Sequence, residues 1–576
     1  MGSDVGRSPL GTAGALCIVA VAWAALQLYG LGWAPFHTRG EPREAIVVQD
    51  LVRHGRWLLP RRNATEVPRK PALYYWLGGL AAHAGGGVDE RSARLPSAVM
   101  SGAAVLLLTL VTALTVTPRA AGIAGLTLLT SFEWLRAATS ARVDMTLAFG
   151  LTAVFAALLL ARRGMRGQVL VLLYGGMAWA TLSKGIPGLA IPTIVVLLVC
   201  AMDRSWAFAR GLRPGRGVLA VLLIVGAWYG AALLQGGRAF LDVVVGENLL
   251  RITDGGAASF GHAHGLAYLV GALAAGLLPW VLGLPAVALA LWRDRAALER
   301  HGPPVFALLW IAAVFAPYAF ATSKRGVYLL PLYPAVALLV GSWADQILRG
   351  AGLASAARSA LTWTLWPLAL VLVLFALMLL AGTLGLPLLD TALGALHGRG
   401  AAYMRTVVAT AAGVQGWWLT AGTGAAALCA AAGALAARAP RPTVLFAALF
   451  GCTAMLILAA RLAILPAIAA LDTRHTFVSA LRQSVRDPAL VHTDPQLDYG
   501  TLFYWGGAMP VYDAGGGGEI PPYLIMPQAA WRRADAALRE RYEVLRSACM
   551  ATADTDGCPV ALARRTAGTA DRPAPR

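Results

Sequence analysis

Two cations, Arg69 and Lys70, stand side by side in RNATEVPRKPALYYW, residues 62–76, bracketed by Pro68 and Pro71. Lysine is a compact donor for one phosphate oxygen, and an adjacent arginine grips two oxygens at once. The pair therefore suits an anion of the phosphate type. Tyr74, Tyr75 and Trp76 follow after Ala72 and Leu73 and begin an apolar surface on which a lipid chain has room to lie. Further along, ARVDM places Asp144 at the start of a long apolar run, a costly position for a carboxylate unless it is used. Two similar turns, LSKGIPG around Lys184 and TSKRGVYLLPLYP around Lys324 and Arg325, add cations. FHTRGEPREAIVVQDLVRHGRW puts Glu41, Arg43 and Glu44 at the start of an amphipathic helix suited to a membrane surface.

Each of these residues also has a plainer reading. Arg69 and Lys70 serve as interfacial anchors if they only snorkel, and Asp144 serves as a helix cap. Glu44 reads as the outward face of its surface helix. Glu247, Asn248 and Arg251 in ENLLR fall at helical spacing, which fits a structural ion pair as well as acceptor binding. Tyr328 and Tyr333 suit an interfacial aromatic belt. His262 and His264 have no acidic or cysteine neighbour to complete a metal site. Asn63 in NAT formally fits a glycosylation acceptor.

The elements that must position these groups are membrane spans. The chain is 58% hydrophobic and only 13% charged, against roughly a quarter charged in soluble domains. Its net charge of +19 sits on arginines scattered through short loops, which is a topology signal rather than a nucleic-acid surface. About thirteen apolar stretches approach the roughly 20 residues a bilayer needs, from 11–33 through 96–116, 120–134 and 143–162 to 443–464. A retained first helix is expected rather than a cleaved signal peptide. Arginine-rich short loops, such as Arg162, Arg163 and Arg166, place the N-terminus in the cytoplasm. The segments 34–95, 235–265 and 384–416 and the tail from 465 then lie outside.

The tail reads as a small α/β domain, 465–576, appended to a membrane domain, 1–464. ALVHT, MPVYD and YLIMPQ read as strands and AAWRRADAALRERYEVL as a helix. GGGG at 515–518 reads as a turn, because no helix follows it. Cys549 and Cys558 can close a small disulfide loop if the tail meets an oxidising compartment; the other four cysteines lie in apolar runs.

The order E-x-R-E-A, G-x-W, P-R-x-N, K-P-x-L-Y-Y-W, A-R-V-D-M, L-S-K-G, E-N-L-L-R and S-K-R with Y-L-L-P-L-Y-P resembles integral-membrane glycosyltransferases of the GT-C class. The likeness is to bacterial aminoarabinose transferases of lipid A, themselves similar to protein O-mannosyltransferases. It implies a polytopic α-helical GT-C fold with a small C-terminal periplasmic α/β domain, set in the bacterial inner membrane. It also implies transfer of aminoarabinose or a related monosaccharide, on the periplasmic side, from a polyprenyl-phosphate donor to lipid A or another envelope glycan. A protein acceptor is the alternative within the class.

By motif match, Lys70, with Arg69 beside it, binds the donor phosphate, and Asp144 and Glu41 are the catalytic carboxylates. Arg43, Lys184, Glu247, Asn248, Arg251, Lys324, Arg325 and Tyr328 are the remaining cavity candidates. The acidic pair that heads the family's first loop has Gly40 as its first member here, leaving Glu41 alone. Arg69 stands where close relatives often have Glu, so no bridging metal is expected and no cofactor is implied. Expected partners are the lipid-linked donor, a lipid or glycan acceptor and membrane lipids.

A transporter or lipid flippase would also combine many spans with basic pockets. Such proteins commonly carry internal repeats with broken helices and mid-span charges. No repeat is evident here, and the charges gather at one face.

Overall fold

The computed structural model describes residues 9–246, 264–395, 401–471, 474–547 and 559–564, except 37, 39, 166–168, 294, 297, 322, 323, 352–354, 440, 486 and 513–519. Glu247, Asn248, Arg251, His262, the 515–518 glycines and the Cys549–Cys558 pair lie outside these residues. Within them, nine helices are long and apolar enough to cross a membrane. Leu266–Gly276 and Trp280–Arg293 make a tenth candidate, bent by 101°, and Val169–Lys184 and Pro187–Asp203 are shorter apolar helices. The apolar stretch near 120–134 falls short of a span. Its helix, Pro118–Thr130, is 13 residues long and stops where Ser131 turns extended ahead of a separate short helix, Phe132–Ala138.

Helix starts follow local chemistry. Asp89 accepts from the Ser92 N–H while the Ser92 hydroxyl accepts from the Asp89 N–H, a capping box that opens Glu90–Thr115. Thr117 caps Pro118–Thr130, with proline at the first helical position. Trp134, Phe155 and Trp310 lie fully enclosed at the centre of the bundle.

The described residues of the tail hold four strands, β1 (Val491–Thr493), β2 (Tyr523–Pro527), β3 (Tyr542–Ser547) and β4 (Pro559–Arg564). They form one sheet in the order β1-β2-β4-β3, with β1 parallel to β2 and the other pairs antiparallel. Two expectations are corrected here. Among the described residues of MPVYD, Val511 alone pairs, as an isolated bridge to Thr493. The stretch expected as one helix from Ala529 splits into Gln528–Arg533 and Ala536–Arg541, then becomes β3. Asp535 caps the second piece and so interrupts the first, and pairing with β4 overrides the helical pattern from Tyr542 onward.

This tail packs against the first loop. Phe36 meets Phe503 edge to face at 4.9 Å, and the Tyr504 hydroxyl donates to Glu90 at 2.6 Å. Ala45, Ile46 and Ala141 share one buried cluster with Phe477, Leu481, Phe503 and Trp505. The asparagine of NAT belongs to this contact: Asn63 Nδ2 donates to the Met509 carbonyl and Asn63 Oδ1 accepts from the Met509 N–H.

Candidate active site

Asp144 opens the helix Asp144–Arg162 and Lys184 closes the helix Val169–Lys184. A carboxylate at a helix N-terminus and an ammonium at a C-terminus each complement the local dipole. Glycines bring the two helices together. A Cβ on Gly150 would lie 2.9 Å from the Ala180 nitrogen, and one on Gly176 would lie 2.8 Å from the Gly150 carbonyl oxygen. Close backbone approach of this kind is the usual use of small residues between membrane helices. It leaves the Asp144 carboxylate and the Lys184 ammonium in direct contact, both largely enclosed. Lys184 also lies over the Tyr328 ring, 4.5 Å from its centroid, and the Tyr318 ring lies tilted beside Tyr328 at 5.4 Å. Arg142 and Lys70 are close enough to act on the charge of Asp144.

Arg69, Lys70 and Lys184 line one pocket together with Trp228, Tyr229, Phe240, Val243 and Val244. The apolar wall comes from the long helix Pro214–Val245, which breaks at Gly237 (φ 55°). That break lets residues on either side of it face the same cavity. Trp228 and Phe240 stand 5.9 Å apart, and the Trp228 indole donates to the Leu58 carbonyl. Sequence reasoning missed this wall. Its signal was the Gly236–Gly237 pair inside an aromatic-rich apolar run.

Tyr74 and Tyr75, expected to face a lipid chain, do not. Both are fully buried, donating to the Ala93 carbonyl and to Glu44, each at 2.7 Å. Trp76 donates to the Trp57 carbonyl at 2.5 Å. A phenol hydroxyl buried in the loop needs an acceptor, and these acceptors turn the aromatics inward.

Glu41, expected as a second catalytic carboxylate, does not line the pocket of Lys70 and is held by an ion pair. It is fully enclosed and paired with Arg94 at 2.8 Å, and it accepts from the Ala141 N–H at 3.1 Å. Arg94 also donates to the carbonyls of Leu31, Ala34 and Pro35. This pair ties the entry of the first loop to the segment that carries Asp144. The Arg142 guanidinium lies 2.9 Å from where a side chain on Gly40 would begin, so a cation abuts the position where the family's first acid is missing.

Glu44 is also corrected, because it is buried rather than outward-facing. Burial alone would favour its neutral form. Arg43 at 2.7 Å, the charge of Arg62 and the hydrogen bond from Tyr75 outweigh that and hold the carboxyl below its ordinary range. Lys324 is buried and donates to the Ala321 carbonyl of its own turn, and neither it nor the half-buried Arg325 lines the pocket. His264 stacks on Tyr268 at 4.0 Å.

The fold and the arrangement of these groups define a polytopic membrane protein resembling GT-C glycosyltransferases. A family model described as dolichyl-phosphate-mannose-protein mannosyltransferase matches residues 69–235, a stretch that contains Arg69, Lys70, Asp144 and Lys184. The undecaprenyl phosphate-α-4-amino-4-deoxy-L-arabinose arabinosyl transferase of Edwardsiella ictaluri is 27% identical over 341 residues, 58% of this chain and 59% of that protein. Its counterpart from Serratia proteamaculans is 26% identical over 57% of this chain and 59% of that protein. The chain thus spans under two thirds of the length of these curated relatives. ArnT from Cupriavidus metallidurans bound to undecaprenyl phosphate superposes with a TM-score of 0.72 at 21% identity, over 96% of this chain and 99% of that one. The apo form gives 0.70, over 96% and 97%. The chain has the fold of that protein.

Proposed function

We propose that this chain is a membrane glycosyltransferase that moves a sugar from a polyprenyl-phosphate donor to an acceptor on the outer side of the bacterial inner membrane. One observation carries the reading: Arg69, Lys70 and Lys184 share a pocket with an aromatic and aliphatic wall, beside the Asp144 carboxylate. A lipid phosphate needs this combination, with cations at its head and an apolar surface where the tail begins.

In the proposed reaction an acceptor oxygen attacks the anomeric carbon, and the bond from that carbon to the phosphate oxygen breaks. Its electron pair leaves with the phosphate. Negative charge grows on the departing group, so contacts from Lys70 and Arg69 strengthen in the transition state. Asp144 takes the proton released by the acceptor, and Lys184 keeps that carboxylate ionised and aimed until the acceptor arrives.

The names of the curated relatives favour undecaprenyl phosphate-linked 4-amino-4-deoxy-L-arabinose as the donor, and we propose lipid A as the acceptor. A protein acceptor is the second reading, favoured by the description of the family model that matches residues 69–235. Mass spectrometry of lipid A, envelope glycans and envelope proteins from strains with and without this chain tests both. A pentosamine lost from lipid A on deletion supports the first reading, and a hexose lost from a protein supports the second. No change in any of the three would overturn the assignment. A periplasmic reporter fused near residue 473 tests the proposed orientation, with the tail outside.

A further inference from the structure

The turn just ahead of Arg69 and Lys70 is held in an unfavourable conformation by the tail. Arg62 and Glu66 pair across it: the Arg62 N–H donates to the Glu66 carbonyl at 2.8 Å, and the Glu66 N–H returns to Arg62 at 3.0 Å. Asn63 (φ 47°) and Ala64 (φ 63°) at its tip are both left-handed. Asparagine tolerates that region, whereas alanine pays a steric penalty there. Something outside the turn must make up the difference.

Arg56 helps from within the first loop, donating to the Ala64 carbonyl at 3.2 Å, and two further contacts come from tail residues 499–509. Asn63 exchanges two hydrogen bonds with the Met509 backbone, at 2.8 and 2.9 Å, as a neighbouring strand would. Arg62, almost fully buried, lies over the Tyr499 ring at 5.5 Å. On the far side of Lys70, the Tyr75 hydroxyl is bonded to Glu44, whose charge Arg62 also senses. Arg69 and Lys70 are therefore strung between two fixed points.

Little in the connecting chain can absorb movement. Pro68 and Pro71 fix φ on either side of the cations, and each restricts the residue before it to extended conformations. Lys70 is one of those residues. A shift of the 62–66 turn reaches the pocket instead of dissipating.

We infer that tail residues 499–509 are a positioning element for the cations of the pocket: through Asn63 and Arg62 they set where Arg69 and Lys70 stand. The consequence for donor binding rests on the function proposed above, but the placement of Lys70 does not. The tail is thereby part of the working site although none of its described residues lines the pocket.

Full-length protein in lipid nanodiscs provides the test, with the variants Asn63→Gly, Tyr499→Ala and Tyr499→Phe. Glycine keeps the left-handed backbone accessible while removing the amide, and phenylalanine keeps the ring under Arg62. Two quantities are read: the rate at which an amine-reactive reagent modifies Lys70, resolved by peptide mass spectrometry, and the KM and kcat for undecaprenyl phosphate-linked aminoarabinose. Asn63→Gly and Tyr499→Ala should change Lys70 modification several-fold and raise donor KM about tenfold, the scale on which supporting groups act. Their kcat should change less, and Tyr499→Phe should match the parent in both readouts. Unchanged Lys70 modification in both Asn63→Gly and Tyr499→Ala would overturn the inference. Altered modification with an unaltered donor KM would uphold the positioning and count against the donor-phosphate reading instead. If Tyr499→Ala fails to fold, Asn63→Gly reads the same link.

Discussion

The Asp144 carboxylate and the Lys184 ammonium meet from opposite ends of two consecutive helices, held by the close backbone contact of Gly150 with Gly176. Lys184 also belongs to the pocket that Lys70 enters. One lysine therefore joins the carboxylate proposed as base to the cations proposed for the phosphate.

Asp144→Asn keeps the shape of that contact but removes the proton acceptor. Transfer should fall by at least about a hundredfold, within the range attributed to positioned acid–base groups. Donor binding should persist, because Lys70 and Arg69 are untouched. Single-turnover transfer beside equilibrium binding of undecaprenyl phosphate separates the two effects. Near-normal transfer by Asp144→Asn would reduce the residue to a helix cap.

Lys70→Ala removes a donor that should act most strongly as the phosphate departs. Turnover should drop by about a hundredfold or more, comparable to deleting one preorganised charge-stabilising donor. Arg69→Ala should be milder, and neither should impair membrane insertion. Turnover measured on reconstituted protein checks this, and a Lys70→Ala enzyme close to the parent would leave the pair as an interfacial anchor.

What was legible beforehand separates along a physical line. Lys70, Asp144 and Lys184 were readable because a charge beside an apolar run stands out against its cost. Nine of the expected spans, among the described residues, and the strand YLIMPQ were readable because their patterns are local. Glu44 was misplaced, and the enclosure of Glu41 was not readable, since burial depends on partners distant in the chain: Tyr75 with Arg62 for the first, and Arg94 for the second. The inward turn of Tyr74 and Tyr75 escaped notice for the same reason. Trp228 and Phe240 lie in an ordinary-looking apolar span, and only the break at Gly237 gives them a shared cavity.

The pair Glu41–Arg94 is fully buried, so losing one partner leaves an uncompensated charge. Arg94→Ala should cost about 3–5 kcal/mol of stability, read as a lower unfolding midpoint in detergent. Glu41→Gln should lower stability too, yet transfer per folded molecule should stay within about tenfold of the parent, far from the loss at Asp144. A deeper loss of turnover in folded Glu41→Gln would give Glu41 a part in the chemistry.

Glu44 should impose a pH dependence on stability. Its folded carboxyl titrates below the ordinary value of 4.5, so the unfolded chain binds more protons in that region. The stabilisation is complete above the ordinary glutamate range and is lost as pH falls through the folded value. Unfolding midpoints measured between neutrality and moderate acid should decline at the low end, and Glu44→Gln should flatten that decline. A variant with the same acid slope as the parent would place the responsible group elsewhere.

Trp228 and Phe240 offer a test of which end of the donor the pocket serves. If the wall they form receives the first isoprene units, its contribution scales with buried apolar area, roughly 25 cal/mol per Å². Truncating either ring should then raise KM for a long polyprenyl-phosphate sugar by about tenfold, the effect of losing one well-packed aromatic contact. The same truncation should hardly alter KM for a water-soluble donor carrying only a short chain, which never reaches the wall. Lys70→Ala should weaken both donors alike, because each presents the same phosphate. Parallel kinetics with long- and short-chain donors on Trp228→Ala, Phe240→Ala and Lys70→Ala provide the measurement. Equal effects of Trp228→Ala on both donors would mean that the aromatic wall shapes the head of the pocket, and that the lipid tail leaves by another route.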